Sequence, residues 1–125
     1  MSEIKVLQLK NADEILTLER GLLAAIEPDE TEREFRSWHA SWRSESLEHY
    51  LPLGWSFGVW HDKTLVGYYL AQPQLFTRSQ TQTLWVEQLT ATTEALKNEL
   101  KDVARRIARE KHFQKVIFNG DEVKD

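Results

Sequence analysis

Few side chains in this sequence have the spacing that catalysis or metal binding requires. Glu45, Glu48 and His49 could share one face of a helix and hold a metal ion, but a solvated helix face explains them more simply. No nucleophile elbow, Walker loop or paired-glycine dinucleotide fingerprint is present. The four histidines are scattered singly, at His39, His49, His61 and His112. We therefore predict no metal site.

Aromatic side chains form a more informative pattern. One group recurs at helical spacing, and a second crowds the middle of the chain. Most must form the core, yet five tryptophans are more than a small core readily encloses, and tryptophan is enriched in interface hot spots. Two interpretations stay open: a purely structural set, or an exposed patch that binds a protein partner through Trp38 and Trp42. The two groups are Phe35, Trp38 and Trp42, and Trp55, Phe57, Trp60, Tyr68, Tyr69 and Trp85.

Composition restricts the class of protein. With 125 residues, of which 41% are hydrophobic, the chain can build one core, so we predict a single domain over residues 1–125. A net charge of -4 argues against a nucleic-acid partner, and no apolar run reaches the roughly 20 residues of a membrane span. The N-terminus lacks a secretory signal, and the absence of cysteine suits a reducing compartment. We therefore predict a cytoplasmic protein.

The first third of the chain predicts one strand and two helices. Ile4–Leu9 alternates imperfectly and is expected to be a strand. A helix over Ala12–Ile26 follows, capped by Asn11 or Asp13. Thr31, with an acid three residues later at Glu34, has the pattern of a capping box for a second helix. One face of that helix would carry Phe35, Trp38, His39 and Trp42.

Strand-like sequence follows in the middle of the chain. Trp55–Trp60 and Leu65–Leu70 are rich in apolar and aromatic residues, and the polar turn His61–Thr64 between them predicts a β-hairpin. A polar stretch, Thr77–Thr83, separates this hairpin from Leu84–Leu89. We predict that the latter is a third consecutive antiparallel strand.

The clearest helix of the chain precedes one more strand. Glu94–Glu110 carries an apolar stripe at helical spacing, and Lys115–Phe118 has the pattern of a short strand. A strand, a helix of this length and a further strand form a βαβ crossover, so the last strand should run parallel to a strand of the meander. The predicted fold class is α+β: an antiparallel meander that a βαβ crossover extends. The stripe comprises Leu96, Leu100, Val103 and Ile107.

This order of elements resembles the N-terminal two thirds of the GNAT N-acetyltransferase fold. Leu65–Ala71 is similar to the family's third strand, which often begins with a hydrophobic pair and a glycine. Leu84–Leu89 is similar to the fourth strand, where an acid commonly occupies the position of Glu87. Ala104–Phe113 resembles the end of the long helix, and Val116–Phe118 the fifth strand. The resemblance implies that Glu87 is a general base, whereas the plainer interpretation is a hydrogen-bonded strand acid.

The resemblance also specifies where acetyl-coenzyme A would bind. In the family, a glycine-containing loop after the fourth strand holds the pyrophosphate at a helix N-terminus. The corresponding segment, Thr90–Lys97, has no glycine and places Glu94 where the phosphate needs room and positive charge. We therefore predict that no cofactor binds and that the domain is a binding or assembly module. The alternative is a reduced N-acetyltransferase that holds acetyl-coenzyme A through Leu89, Thr90, Thr92 and Thr93.

The resemblance further implies elements that have no counterpart here. The family usually continues after the fifth strand with a helix and two strands, whereas this sequence ends in a polar tail at residues 119–125. The family's tyrosine acid usually lies in that part, so sheet packing is the simpler interpretation of Tyr68 and Tyr69. Val116–Phe118 should then lie at an uncovered sheet edge. We expect a second copy to cover it in a homodimer, which in the alternative function would complete the active site.

Overall fold

The computed structural model describes residues 2–38, 40–76 and 81–119. Five strands form one sheet in the order β1-β2-β3-β4-β5, and all neighbours are antiparallel except β4 and β5, which are parallel. This arrangement confirms the predicted meander and crossover. The elements are β1 Ser2–Val6, α1 Ala12–Ile26, α2 Glu30–Trp38, α3 Ser44–Tyr50, β2 Phe57–His61, β3 Thr64–Phe76, β4 Thr81–Ala91, α4 Glu94–Glu110 and β5 Lys115–Phe118.

The β2–β3 hairpin forms because its two-residue turn matches the twist of the strands. His61 pairs with Thr64, and the intervening Asp62 and Lys63 have φ values of 48° and 68°. Two consecutive residues in the left-handed region are the signature of a type I′ turn, which continues the right-handed twist of a hairpin. The hairpin is therefore confirmed, with its turn at the predicted place.

The α4 crossover has the predicted bounds. Thr93 caps the helix, since its Oγ1 accepts a hydrogen bond of 3.2 Å from the backbone N–H of Leu96. Leu100 and Val103 of the predicted apolar stripe are buried against the sheet, and Leu96 and Ile107 are partly buried at its margins. The helix therefore returns the chain so that β5 pairs with β4 in parallel, from Thr83↔Lys115 to Val86↔Phe118.

The sheet separates two hydrophobic cores. The core beneath α4 contains Val59, Tyr69, Ala71, Leu84, Val86, Leu100 and Phe118, among others. The core beneath α1 and α3 contains Leu7, Ile15, Trp42, Leu47, Tyr50, Tyr68 and Leu70, among others. Among the described helices, none is long and apolar enough to cross a membrane. The helix α1 that covers the second core has the predicted bounds.

The second predicted helix is wrong in its length. It ends at Trp38, and the chain turns at Ala40, whose carbonyl accepts the N–H of Arg43 at 3.2 Å. A continuous helix would keep Trp42 on the face of Trp38, which is 63% exposed; leaving the helix lets Trp42 enter the core, where it is 8% exposed. Burial of one aromatic side chain contributes about 1.5 to 3 kcal/mol, which favours the turn. His39 lies outside the described residues.

Several boundaries also differ from the prediction; β3, for example, continues beyond the predicted Leu70 to Phe76. Asp29 rather than Thr31 caps α2, because its carboxylate accepts the N–H groups of Thr31 and Glu32 at 3.0 and 3.4 Å. The first strand covers Ser2–Val6 and stops before Leu7, which turns into the core. The strand β4 begins at Thr81, inside the predicted polar loop, whose residues 77–80 lie outside the described part.

Candidate functional site

A β-bulge in β4 places Glu87 and Gln88 on the same face of the sheet. Gln88 pairs with Leu70 and Val86 with Ala71, so Glu87 is an extra residue without a partner on β3. Val86 belongs to the core beneath α4, whereas Gln88 pairs with Leu70 of the core beneath α1 and α3, and Glu87 lies near Tyr50 of that same second core. A bulge aims a side chain away from the regular alternation of a strand, and here it brings a carboxylate beside a polar amide.

Beyond this bulge β4 and β5 stop pairing, and a small cleft opens between them. The last pair is Val86↔Phe118, after which the backbone N–H of Asn119 donates to the carbonyl of Val86 at 2.8 Å. The side-chain amide of Asn119 donates to the carbonyl of Glu87 at 3.2 Å. The cleft of about 300 Å³ is lined by these residues, by Leu89, and by the first turns of α4 at Glu94, Lys97 and Lys101.

One aromatic residue holds the Glu87 carboxylate in place, and a second lies near it. The indole N–H of Trp85 donates to Oε2 of Glu87 at 2.8 Å, and the hydroxyl of Tyr50 lies close by. Burial raises the pKa of Tyr50, and the negative charge of Glu87 raises it further, while a hydrogen bond from Trp85 acts in the opposite direction. A carboxylate fixed in this way could accept a proton from an amine or from water. The sequence pattern gave no sign of Tyr50, because it reaches Glu87 only through the fold.

The polar cluster next to this site is buried. Glu19 of α1 is 6% exposed, and the hydroxyl of Tyr68 donates to its Oε1 at 2.5 Å. Gln88 Nε2 lies 3.5 Å from the same oxygen and donates to Thr90 at 2.7 Å. No described lysine, arginine or histidine forms an ion pair with Glu19. Burial, and then the charge of Glu19, raise the pKa of Tyr68 well above its usual value.

Both candidate tyrosine acids are core residues. Tyr68 and Tyr69 are each 0% exposed, and neither lines the cleft between β4 and β5. Burial also raises the pKa of Tyr69, whose hydroxyl has no hydrogen-bond partner among the described residues. The structure therefore agrees with the interpretation of these tyrosines as sheet packing.

The connection from β4 to α4, where acetyl-coenzyme A would bind, consists of only two residues. The backbone N–H of Thr92 donates to the carbonyl of Val66 at 3.0 Å, and the hydroxyl of Thr93 is used as the helix cap. Of the four predicted cofactor residues only Leu89 lines the cleft; Thr90 is 9% exposed and holds Gln88. Two of the groups that could bind the cofactor's pyrophosphate, the Thr92 amide and the Thr93 hydroxyl, already have partners within the chain, and Glu94 adds a carboxylate to the first turn of α4, so these residues fit a pyrophosphate poorly.

Two of the three α3 residues considered as metal ligands, Glu45 and His49, have partners within the fold. Nε2 of His49 lies 2.8 Å from Oε1 of Gln72 on β3, and Glu45 forms an ion pair of 3.7 Å with Arg43. In the part of the chain that the structure describes, no three His, Asp or Glu side chains come together as metal ligands. Glu45 and His49 therefore make contacts within the fold, and Glu48 is exposed.

Comparison with known proteins identifies the fold. No protein-family model matches the sequence, and no curated protein matches it significantly. Among solved structures, the Brucella melitensis ribosomal-protein-alanine N-acetyltransferase has a TM-score of 0.66 and 19% identity, covering 98% of this chain and 82% of its own. An aminoglycoside acetyltransferase from an uncultured soil metagenomic sample has a TM-score of 0.65 and 18% identity, and the match covers 99% of this chain and 80% of that protein.

A third solved structure, also of an N-acetyltransferase, is similar to the same degree. The Thermoplasma acidophilum PaiA N-acetyltransferase, in complex with coenzyme A, has a TM-score of 0.67 and 17% identity, with coverage of 90% of this chain and 75% of its own. At this level of identity the likeness shows the fold. The protein therefore has the GNAT fold, as its sequence predicted, over a somewhat larger share of its neighbours than the two thirds expected.

Proposed function

We propose that this GNAT-fold domain does not bind acetyl-coenzyme A and works as a binding or assembly module. The observation that carries the proposal is the two-residue connection between β4 and α4. A pyrophosphate needs several unpaired N–H groups and a positive potential at a helix N-terminus. Here the Thr92 amide and the Thr93 hydroxyl are already bonded, and Glu94 adds a negative charge at the first turn.

The cleft between β4 and β5 supports the same conclusion. The amide of Asn119 is bonded to the carbonyl of Glu87, so this part of the β4 backbone already has a partner from within the chain. Lys97 and Lys101 bring positive charge, but Lys97 lies 3.9 Å from the carboxylate of Glu94, and Lys101 lies 5.5 Å from the ring of Phe118. The cleft of about 300 Å³ is also at the lower limit for a small-molecule site.

A surface formed by the three N-terminal helices is the candidate for binding a partner protein. A groove of about 670 Å³ lies between α1, α2 and α3, and Trp38 lines it while remaining 63% exposed. Phe35 lies on the same helix, with its ring centre 6.5 Å from that of Trp38, and Trp42 lines the groove from the core. Exposed tryptophan beside charged residues is the usual composition of an interface centre with a polar rim. Trp38 would be its main anchor.

A titration with acetyl-coenzyme A, followed by thermal unfolding, tests the proposal. A ligand that binds only the folded state at a concentration 100 times its Kd stabilises it by about 2.7 kcal/mol. We expect no saturable rise in melting temperature with millimolar acetyl-coenzyme A, whereas a GNAT enzyme that binds the cofactor, run in parallel, should show one. A dose-dependent shift in this protein would overturn the proposal.

The second candidate function is a reduced N-acetyltransferase completed by another subunit. It is favoured by one observation, the Glu87 carboxylate held by Trp85 beside Tyr50 at the end of the paired region. If acetyl transfer to an amine is detected, Glu87→Gln should lower its rate by about 100-fold, which is the lower range for loss of a general base. The same rate in Glu87→Gln and in the unmodified protein would exclude Glu87 as the base.

A further inference from the structure

The C-terminal half of α4 and the strand β5 border a groove of about 640 Å³ whose lining contains four cations and a single acid, Asp102. Phe113 and Val116 give it an apolar floor. Its cations are Arg105, Arg106, Arg109 and Lys115, and we call this surface the basic groove. It lies across the sheet from the α1–α3 surface, so its role is independent of the function proposed above.

The distribution of charge along the chain makes the basic groove exceptional. Residues 94–115 contain seven of the 16 lysines and arginines but only four of the 20 aspartates and glutamates. This segment therefore has a formal charge of +3, whereas the rest of the chain, with nine cations and sixteen acids, has -7. Four of the seven cations of this segment line the basic groove, and an acidic protein that concentrates positive charge in this way attracts a negatively charged ligand to that groove.

Most of this positive charge is not neutralised within the protein. Among the described residues, Arg106, Arg109 and Lys115 take part in no ion pair. Arg105 lies 3.3 Å from Asp102, but both side chains are more than half exposed. An exposed ion pair of this kind contributes little and is readily exchanged for another partner. The groove can therefore offer several cations to a ligand.

The groove is bordered by an open sheet edge. In the described part of the chain, β5 pairs only with β4, so its other edge carries a row of backbone N–H and C=O groups without a strand partner. Such an edge is a template for another extended peptide, which pairs with it through main-chain hydrogen bonds. The edge thus selects a peptide backbone, and the cations beside it select acidic side chains.

We propose that the basic groove binds an acidic segment of a partner protein, which adds to β5 as an extended strand. Nucleic acid fits the charge but not the edge, because it cannot complete a ladder of backbone hydrogen bonds. A second copy of this chain fits the edge but not the charge, because a two-fold β5–β5 contact would bring two basic grooves together. An acidic peptide satisfies both features.

Fluorescence anisotropy with a short, labelled peptide of alternating glutamate and valine tests the proposal on the full chain. We expect saturable binding that weakens when NaCl is raised to about 0.5 M, since salt screens the charges. The double variant Arg106→Glu/Arg109→Glu should bind at least about tenfold more weakly. Lys10→Glu/Lys63→Glu makes the same change of charge at exposed positions away from the groove and should retain binding within about twofold.

A second peptide tests the strand edge without changing the protein. The same sequence with alternate backbone nitrogens methylated keeps its charge but cannot complete the ladder, so it should bind at least about tenfold more weakly. Circular dichroism of each variant verifies folding. Equal binding of both peptides, equal losses in the two double variants, or tighter binding of a single-stranded oligonucleotide would overturn the proposal. So would self-association at low ionic strength that the peptide does not displace.

Discussion

Tyr68 and Tyr69 are neighbours in β3 that lie in opposite cores, and only Tyr68 has a described partner for its hydroxyl. Tyr68→Phe would remove the hydrogen bond to the buried carboxylate of Glu19 and should lower the free energy of unfolding by about 1 to 3 kcal/mol. Tyr69→Phe removes a hydroxyl that has no described partner and should change it by less than about 1 kcal/mol, in the stabilising direction. Urea denaturation of the two variants measures both changes in the free energy of unfolding. Equal losses of stability would contradict the conclusion that only the Tyr68 hydroxyl has a hydrogen-bond partner.

The same burial predicts how stability depends on pH. The chain has three tyrosines, and the pKa of each, Tyr50, Tyr68 and Tyr69, is raised in the folded state. Below the pKa of about 10 that tyrosine has in the unfolded chain, all three tyrosines are protonated in both states, and their contribution to the free energy of unfolding is fully present. Above that pH the unfolded chain loses protons that the folded chain retains, so the free energy of unfolding falls. Tyrosinate absorbance should rise together with unfolding; a rise while the fold is intact would contradict this.

The site residues differ in how far sequence could identify them. Glu87 became a candidate through its place in a strand that resembles a known family. Tyr50 and Glu19 were not, because their importance comes from contacts with β4 and β3 that lie far away along the chain. Spacing along one helix or strand predicts which residues share a face, but it contains no information about which faces meet.

At the level of elements, the β2–β3 turn can be improved. Lys63 has a φ of 68°, a left-handed conformation that costs a residue with a Cβ about 1 kcal/mol or more. Lys63→Gly creates the Asp-Gly pair that type I′ turns prefer and should raise the free energy of unfolding by about 0.5 to 1 kcal/mol. Gly54→Ala makes the opposite change, placing a Cβ at a residue with a φ of 81°, and should lower the free energy of unfolding. A loss of stability in Lys63→Gly would exclude strain at this turn.

Elements with a regular apolar pattern were predicted well, and those set by tertiary packing were not. The bounds of α1, α4 and β5 agree with the structure because apolar patterns, and at α4 the Thr93 cap, are local signals, although Asn11 makes no side-chain capping hydrogen bond at α1. The second helix was extended too far, because Trp42 has helical spacing from Trp38 but is taken into the core. The β4 bulge was not predicted either, since pairing register is a property of two strands.

At the level of the whole molecule, the predicted homodimer remains a proposal with a testable salt dependence. If two copies pair through β5, the two basic grooves repel each other, and screening by salt relieves this repulsion. We expect sedimentation to give a mass near the monomer's 14.7 kDa at low ionic strength and a larger mass at about 1 M NaCl. Binding of an acidic peptide should change in the opposite direction. A monomer at every salt concentration would contradict the homodimer.

The strand β3 links the two layers of the molecule. From Tyr68 to Ala71 its side chains are 0% exposed and alternate between the core beneath α4 and the core beneath α1 and α3. Neither layer can open without removing the packing from one side of this strand. The amide protons of β3 should therefore exchange with solvent only when the entire domain unfolds, so that the two layers behave as one cooperative unit.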